Sequence, residues 1–195
     1  MTALRFHHPC LLGLAILLGF CLIASVQADQ NLVDPELRQR LSAAMAEDGG
    51  FVDRFEAEVW LADMSERLRT RISDEGERLE LLRLVHAEAR RADLSPELVL
   101  AVIQVESNFD RFAISVVGAR GLMQIMPFWL KELGRPDDNL FDVHTNLRFG
   151  TTILRYYLDM EKGHESRALA RYNGSLGSHK YPNLVFNALR ERWHQ

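Results

Sequence analysis

Apolar residues recur along most of this chain at a spacing of three or four, the repeat of one face of an α-helix. Val52, Phe55, Val59 and Ala62 follow one another this way with charged residues between them, as do Leu81, Val85, Ala89 and Ala92. These stretches predict two amphipathic helices within residues 51–92, separated at Asp74-Glu75-Gly76. Ser95-Pro96 marks another start: the serine can accept a hydrogen bond from the first turn, and the fixed φ of proline suits the first helical position. The segment that follows, residues 98–103 (Leu-Val-Leu-Ala-Val-Ile), is apolar on every side, which predicts a helix enclosed by others. Further helices are predicted from Leu147, Thr151, Leu154 and Leu158, from Ala168 and Tyr172, and from Val185, Leu189 and Trp193. Gly118, Gly121, Gly134-Arg135-Pro136, Gly163 and Gly174 stand between them, where turns and caps are needed. No alternating period-2 segment of useful length occurs, so the fold class is mainly α.

The amino-terminal residues have a different texture. Arg5 is the only charged residue before Asp29; an apolar run over residues 11–23 and the small-residue stretch Ala24-Ser25-Val26-Gln27-Ala28 follow it. These are the parts of a secretory signal peptide, predicted to be residues 1–28, which directs the protein to the periplasm. The run is short for a spanning helix, which needs about 20 residues, and an uncleaved membrane anchor is the competing reading. Phe20 is bulky where a lipoprotein site before Cys21 would need a small residue. Cleavage after Ala28 would remove both cysteines, Cys10 and Cys21, and with them any disulfide or thiol chemistry. Residues 29–50 are polar, break at Gly49-Gly50 and predict a short helix or a linker.

Composition narrows the function classes. The chain has 195 residues, 47% apolar and 26% charged, with a net charge of −4. Basic and acidic residues interleave and there is no basic run, so nothing provides the electrostatic footprint of a nucleic-acid binder. His86, His144, His164, His179 and His194 show no His-Glu-x-x-His spacing, and no Gly-x-Ser-x-Gly elbow is present. The pattern therefore calls for no metal and no cofactor.

Glu106 stands out on physical grounds. It lies at the end of the most apolar helix, where a carboxyl beside a dry core would have its pKa raised. A carboxylic acid that keeps its proton near neutrality can protonate a glycosidic oxygen. From periodicity alone, Glu106 can equally be the solvent-facing last residue of a buried helix. Asp110, the nearest other carboxyl, reads as a solvated turn residue.

The residues after Glu106 add information of another kind. Residues 106–127 contain Glu-Ser, an aromatic three residues after the glutamate, Ala113-Ile114-Ser115, Gly118-Ala119-Arg120-Gly121-Leu122-Met123-Gln124 and Met126-Pro127. Asn146 and Gly150 follow, then residues 168–174 (Ala-Leu-Ala-Arg-Tyr-Asn-Gly). This ordered set, across roughly residues 78–180, resembles the soluble lytic murein transglycosylases, whose SLT domain is related to goose-type lysozyme. The resemblance implies a lysozyme-like helical domain at residues 78–195, preceded at 29–77 by a linker and an N-terminal helical extension.

The resemblance also implies roles. Glu106 would be the single catalytic acid/base. Ser115 would sit near the reacting sugar, Gln124 and Met126 would line the saccharide groove, Tyr172 would hydrogen-bond and orient Glu106, and Asn173 would reach the substrate. Gly118 and Gly121 would permit the tight backbone of the loop over the cleft. The substrate would be peptidoglycan glycan strands, cut between N-acetylmuramic acid and N-acetylglucosamine with a 1,6-anhydromuramyl end as product. Substrate assistance by the N-acetyl group is a known exception to the two-carboxyl rule of glycosidases. The implied partners are glycan strands and a cell-wall machinery complex, with a membrane involved only if the N-terminal segment stays attached. Val116-Val117, Phe128-Trp129 and Gly174-Ser175 depart from the family pattern at positions that bear on subsite preference. A lysozyme-type hydrolase, or a non-catalytic peptidoglycan-binding or secretion-assembly protein, would share most of these features.

Overall fold

The computed structural model describes residues 34–44, 54–133 and 135–194, which belong to one compact unit. The segment read as a signal peptide, the Gly49-Gly50 break, the side chains of Val52 and Phe55, and Gly134 lie outside the described residues. Eight α-helices form there: α1 (Pro35–Ala44), α2 (Arg54–Leu68), α3 (Glu75–Arg91), α4 (Pro96–Ser107), α5 (Phe128–Glu132), α6 (Val143–Met160), α7 (Glu165–Tyr172) and α8 (Lys180–Ala188). A π-helical turn, Leu189–Trp193, extends α8. Among the described residues β-structure is confined to isolated bridges, Ile114 to Arg120 and Arg120 to Ile125, so the chain is mainly α as its periodicity predicts.

Helix α4 is the axis of the fold. Ser95 caps it, its hydroxyl accepting the Leu98 N–H at 3.2 Å, and Pro96 occupies the first turn. Residues 98–103 are all buried, as expected for a segment apolar on every side. Their five Leu, Val and Ile side chains contribute on the order of 10 kcal/mol of apolar burial, an upper bound because the unfolded chain is itself partly collapsed. Helix α3, helix α8 and the π-helical turn pack against α4, and α6 packs against α1, α3 and α7.

The segment preceding the core is tied down at several points. Trp60 donates its indole N–H to Glu97 Oε1 at 2.6 Å, fastening α2 to the first turn of α4. Arg67 donates to the carbonyls of Arg192 (2.7 Å) and His194 (3.0 Å), and Arg71 donates to Asn108 Oδ1 at 2.8 Å. The buried face of α2 differs from the expected one. Val59 is 59% exposed and Ala62 faces solvent, whereas Trp60, Leu61, Met64 and Leu68 are buried. Two apolar stripes compete on this helix, and the one with the larger side chains removes more apolar area from water. In α3 the expected stripe of Leu81, Val85, Ala89 and Ala92 is buried, and Asp74, within the predicted break, caps the helix through the Glu77 N–H.

Helices α3 and α6 are joined by a buried ionic cluster. Glu88 and Arg148, each 1% exposed, meet at 2.6–2.8 Å. Arg91 adds a second guanidinium at 2.7 Å from Glu88 and reaches Thr151 and Thr152 on α6. Removing a buried carboxylate strands the charges it neutralised. Glu88→Ala is expected to lower unfolding stability by about 3–5 kcal/mol, seen as a lower urea midpoint at unchanged m-value; a loss below about 1 kcal/mol would show that solvent reaches the cluster.

Candidate active site

Glu106 lies in the last turn of α4, where the buried segment meets the surface. The chain turns sharply just beyond it: Asn108 (φ 49°) caps the helix in the left-handed conformation and Phe109 (φ 70°) repeats it, an uncommon posture for a bulky residue. Glu106 is half-buried, and desolvation by its surroundings raises its pKa to about 7. Tyr181 opposes this in part, donating its phenol O–H to Glu106 Oε1 at 2.6 Å and favouring the charged carboxylate. Burial thus pushes the Glu106 carboxyl in the direction expected for a group beside a dry core.

The loop from Ala113 to Met126 docks against this helix end. Ser107 donates its hydroxyl to the Leu122 carbonyl at 2.9 Å. Next to it, Met123 is held from three sides. Its N–H donates to Asn146 Oδ1 at 2.8 Å, its carbonyl accepts the Tyr172 hydroxyl at 2.8 Å, and its side chain lies against Gly150 so closely that any Cβ there would collide with it. Asn146, 1% exposed, spends both amide protons on the loop and its approach, donating to the carbonyls of Arg120 (2.9 Å) and Leu140 (2.8 Å). Gly121 has φ +75° and passes over this amide with no room for a side chain. The motif residues Ser107, Gly121, Met123, Asn146, Gly150 and Tyr172 therefore form one contact set.

The expected site residues take distinct places. Ser115 is half-buried in a tight turn, its Oγ accepting the Ala119 N–H at 3.0 Å. Gln124 adopts the left-handed region (φ 51°) and turns its amide back on the loop, donating to the carbonyls of Gly121 (2.9 Å) and Ala113 (3.2 Å). Met126 is half-buried and packs against the core. Asn173 caps α7 and is exposed. Tyr172 corrects the expectation attached to it, because its hydroxyl is engaged by the Met123 carbonyl and the hydrogen bond to Glu106 comes from Tyr181. A signal for Tyr181 exists in the sequence. Tyr181, Val185 and Ala188 are the buried stripe of α8, and a phenol on a buried stripe needs a partner for its hydroxyl. Asp110 is exposed and accepts the Phe112 N–H at 2.8 Å, as a turn residue does. Among the described residues no group of His, Cys, Asp or Glu is arranged to hold a metal ion.

Comparison with known proteins bears on this arrangement. Residues 83–187 match the family model described as "Transglycosylase SLT domain". The chain is similar to the transglycosylase of Enterobacteria phage PRD1, 39% identical over 90 residues, which cover 46% of this chain and 33% of the phage protein. It is also similar to membrane-bound lytic murein transglycosylase C of Yersinia pestis (strain Pestoides F), 34% identical over 113 residues covering 50% of this chain and 32% of that protein. The protein of that name from Yersinia pseudotuberculosis serotype O:1b matches to the same extent. The chain spans about a third of the length of these relatives. The family match begins within α3 and ends within α8, so α1, α2 and the π-helical turn lie beyond it.

The raised pKa of Glu106 has a consequence for stability. The folded chain holds this proton up to about pH 7, whereas the unfolded one releases it near the ordinary 4.5. The group therefore favours the folded state least above pH 7: its contribution declines as pH rises from 4.5 to 7 and is level beyond. Glutamine imitates the protonated carboxyl at every pH. Glu106→Gln is expected to stabilise the protein at pH 8 by up to about 3 kcal/mol and to change it little at pH 4.5, as read from urea midpoints at the two pH values. An equal increment at both would contradict the raised pKa.

Proposed function

The chain belongs to the transglycosylase SLT family, and we propose that it is a peptidoglycan lytic transglycosylase in which Glu106 is the only acid/base. The observation that carries this reading is a single carboxyl held near pKa 7 at the mouth of a dry helix, hydrogen-bonded by Tyr181, in a chain whose relatives are named transglycosylases. Protonated Glu106 donates to the glycosidic oxygen between N-acetylmuramic acid and N-acetylglucosamine, and the C1–O bond breaks as the N-acetyl oxygen of the same muramyl residue attacks C1. The carboxylate so formed accepts the proton of the muramyl 6-hydroxyl, whose oxygen displaces the N-acetyl group from C1. The product is a 1,6-anhydromuramyl end and no water is consumed. One carboxyl suffices because it is restored to its acid form at the end.

The surroundings support the division of labour. Tyr181 orients Glu106 and stabilises the carboxylate half of the cycle. Tyr172, with Asn146 and Gly150, holds the Met123 segment and so sets the loop that carries Ser115, Gln124 and Met126 toward the saccharide. Asn173, exposed at the end of α7, is free to contact substrate. Residues 78–195 constitute the catalytic domain and residues 29–77 its helical extension, with the first 28 residues delivering the protein to the periplasm, where glycan strands and cell-wall assemblies are its partners.

Digestion of purified peptidoglycan, with product masses determined, tests the reaction. Anhydro-ended muropeptides are expected, and Glu106→Gln should reduce turnover by about 10²–10⁴-fold. Reducing ends would indicate a hydrolase, and activity retained in Glu106→Gln would remove Glu106 from the mechanism. The two tyrosines should separate in a pH–rate profile. Activity falls as pH rises through about 7, because the acid form is then lost. Tyr181→Phe should move that midpoint upward, since it removes a hydrogen bond to the carboxylate. Tyr172→Phe should leave the midpoint in place and destabilise the fold by about 1–3 kcal/mol through the stranded Met123 carbonyl.

A further inference from the structure

Between the first turns of α3 and α6 lies a cavity of about 280 Å³, near the lower end of ordinary ligand pockets. Its buried lining is apolar and includes Leu81, Phe109 and Leu122. The charged lining has two signs. Glu77, Glu80 and Asp142 contribute exposed carboxyl groups, and Arg111 contributes a guanidinium. No ion pair forms between these groups among the described residues, and Asp142 spends one carboxyl oxygen on the Thr145 N–H that caps α6.

Arg111 is incompletely satisfied. Its Nη2 reaches the Phe141 carbonyl only at 3.3 Å, its guanidinium lies 5.1 Å from the Phe112 ring centroid, and its Nε–H is buried without a hydrogen-bond partner. A buried guanidinium proton without an acceptor is costly, and an anionic acceptor would satisfy it best. The cavity thus offers a cation-binding edge, an anion-binding group and an apolar floor within the dimensions of one or two amino acids.

Its position relates it to the site. Phe109 and Arg111 follow Glu106 within five residues, and the carbonyl of Leu122 accepts the hydrogen bond from Ser107. Two or three extended peptide residues span about 10 Å, the reach of a short stem tethered to a sugar at Glu106. Glu77, Glu80 and Leu81 precede residue 83, where the family match starts, so part of the wall belongs to this chain's own flank.

We propose that this cavity binds the peptide stem of the glycan strand through a diamino-acid residue, its ammonium toward Glu77, Glu80 and Asp142 and its carboxylate on Arg111. The proposal rests on peptidoglycan being the substrate. A diamino acid with a free carboxylate presents both charges on one side chain, which a lysine or a glutamate of a protein partner does not.

The test uses the free tetrapeptide L-Ala–D-Glu–meso-diaminopimelate–D-Ala, titrated into nitrogen-15-labelled protein. Saturable shifts are expected at the amides of Phe109, Leu122 and Val143. Glu80→Gln and Arg111→Gln should each weaken binding about fivefold or more, as expected for loss of a charge-assisted contact. The tetrapeptide with lysine in place of diaminopimelate lacks the second carboxylate; it should bind more weakly, and Arg111→Gln should not weaken it further. In parallel, both variants should raise KM for peptide-bearing strands while cleaving strands stripped of peptide by an amidase as the parent does. Absence of saturable shifts at these amides, or affinities unchanged in both variants, overturns the proposal. The titration decides the pocket even if no strand is cut, whereas failure to cut either substrate counts against the activity alone.

Discussion

The site depends on how Met123 is held. The loop is stitched internally by the paired backbone bonds of Arg120 with Ile125 (2.9 Å each) and by Gly121 N–H to the Ala113 carbonyl (3.0 Å), but its placement against α4 and α6 is set from outside. Asn146 does most of this: one carboxamide satisfies the Met123 N–H and two carbonyls from separate stretches, three of the four hydrogen bonds the group can make. Tyr172 completes the peptide by satisfying the Met123 carbonyl, and Gly150 removes the side chain that would hold the loop away from α6. With these contacts made, Gln124 can be kept in the left-handed region, a conformation that persists only when its neighbours over-determine it.

The same dryness that stabilises α4 perturbs Glu106. Burying residues 98–103 in the middle of the fold requires their helix to end somewhere, and its last turn carries a carboxyl into partly apolar surroundings. The cost of that placement is the raised pKa, which is the property the proposed acid step near neutrality draws on. Tyr181 limits the shift without abolishing it, and in the proposed reaction the carboxylate it favours is the state halfway through.

Much of this was legible in the sequence, and unevenly so. The enclosed character of α4, its Ser-Pro start and the buried stripe of α3 followed from periodicity and capping, which are local. The buried face of α2 did not, because two stripes of comparable spacing lie on it and the partner surface selects between them. The motif set named Glu106, Ser115, Gln124, Met126, Tyr172 and Asn173 as candidates but could not say which atoms meet. Hydrogen bonds between Tyr181 and Glu106, 75 residues apart, or Tyr172 and Met123, 49 apart, are fixed by the packing of α7 and α8, which no local spacing encodes.

The ties between α2 and the rest of the molecule bear on modularity. Trp60 reaches the start of α4, Arg71 reaches its end, and Arg67 grips the carbonyls of Arg192 and His194. Trp193, fully buried, also donates its indole N–H to Gln104 in α4 at 2.9 Å. The stretch that matches the family is thus bracketed by two flanks that clasp each other and the central helix. Excised at the match boundaries, it would bare the apolar surface now covered by Trp60, Met64, Leu68 and Trp193. The matched stretch and its described flanks therefore share one apolar core, and neither is a separable module.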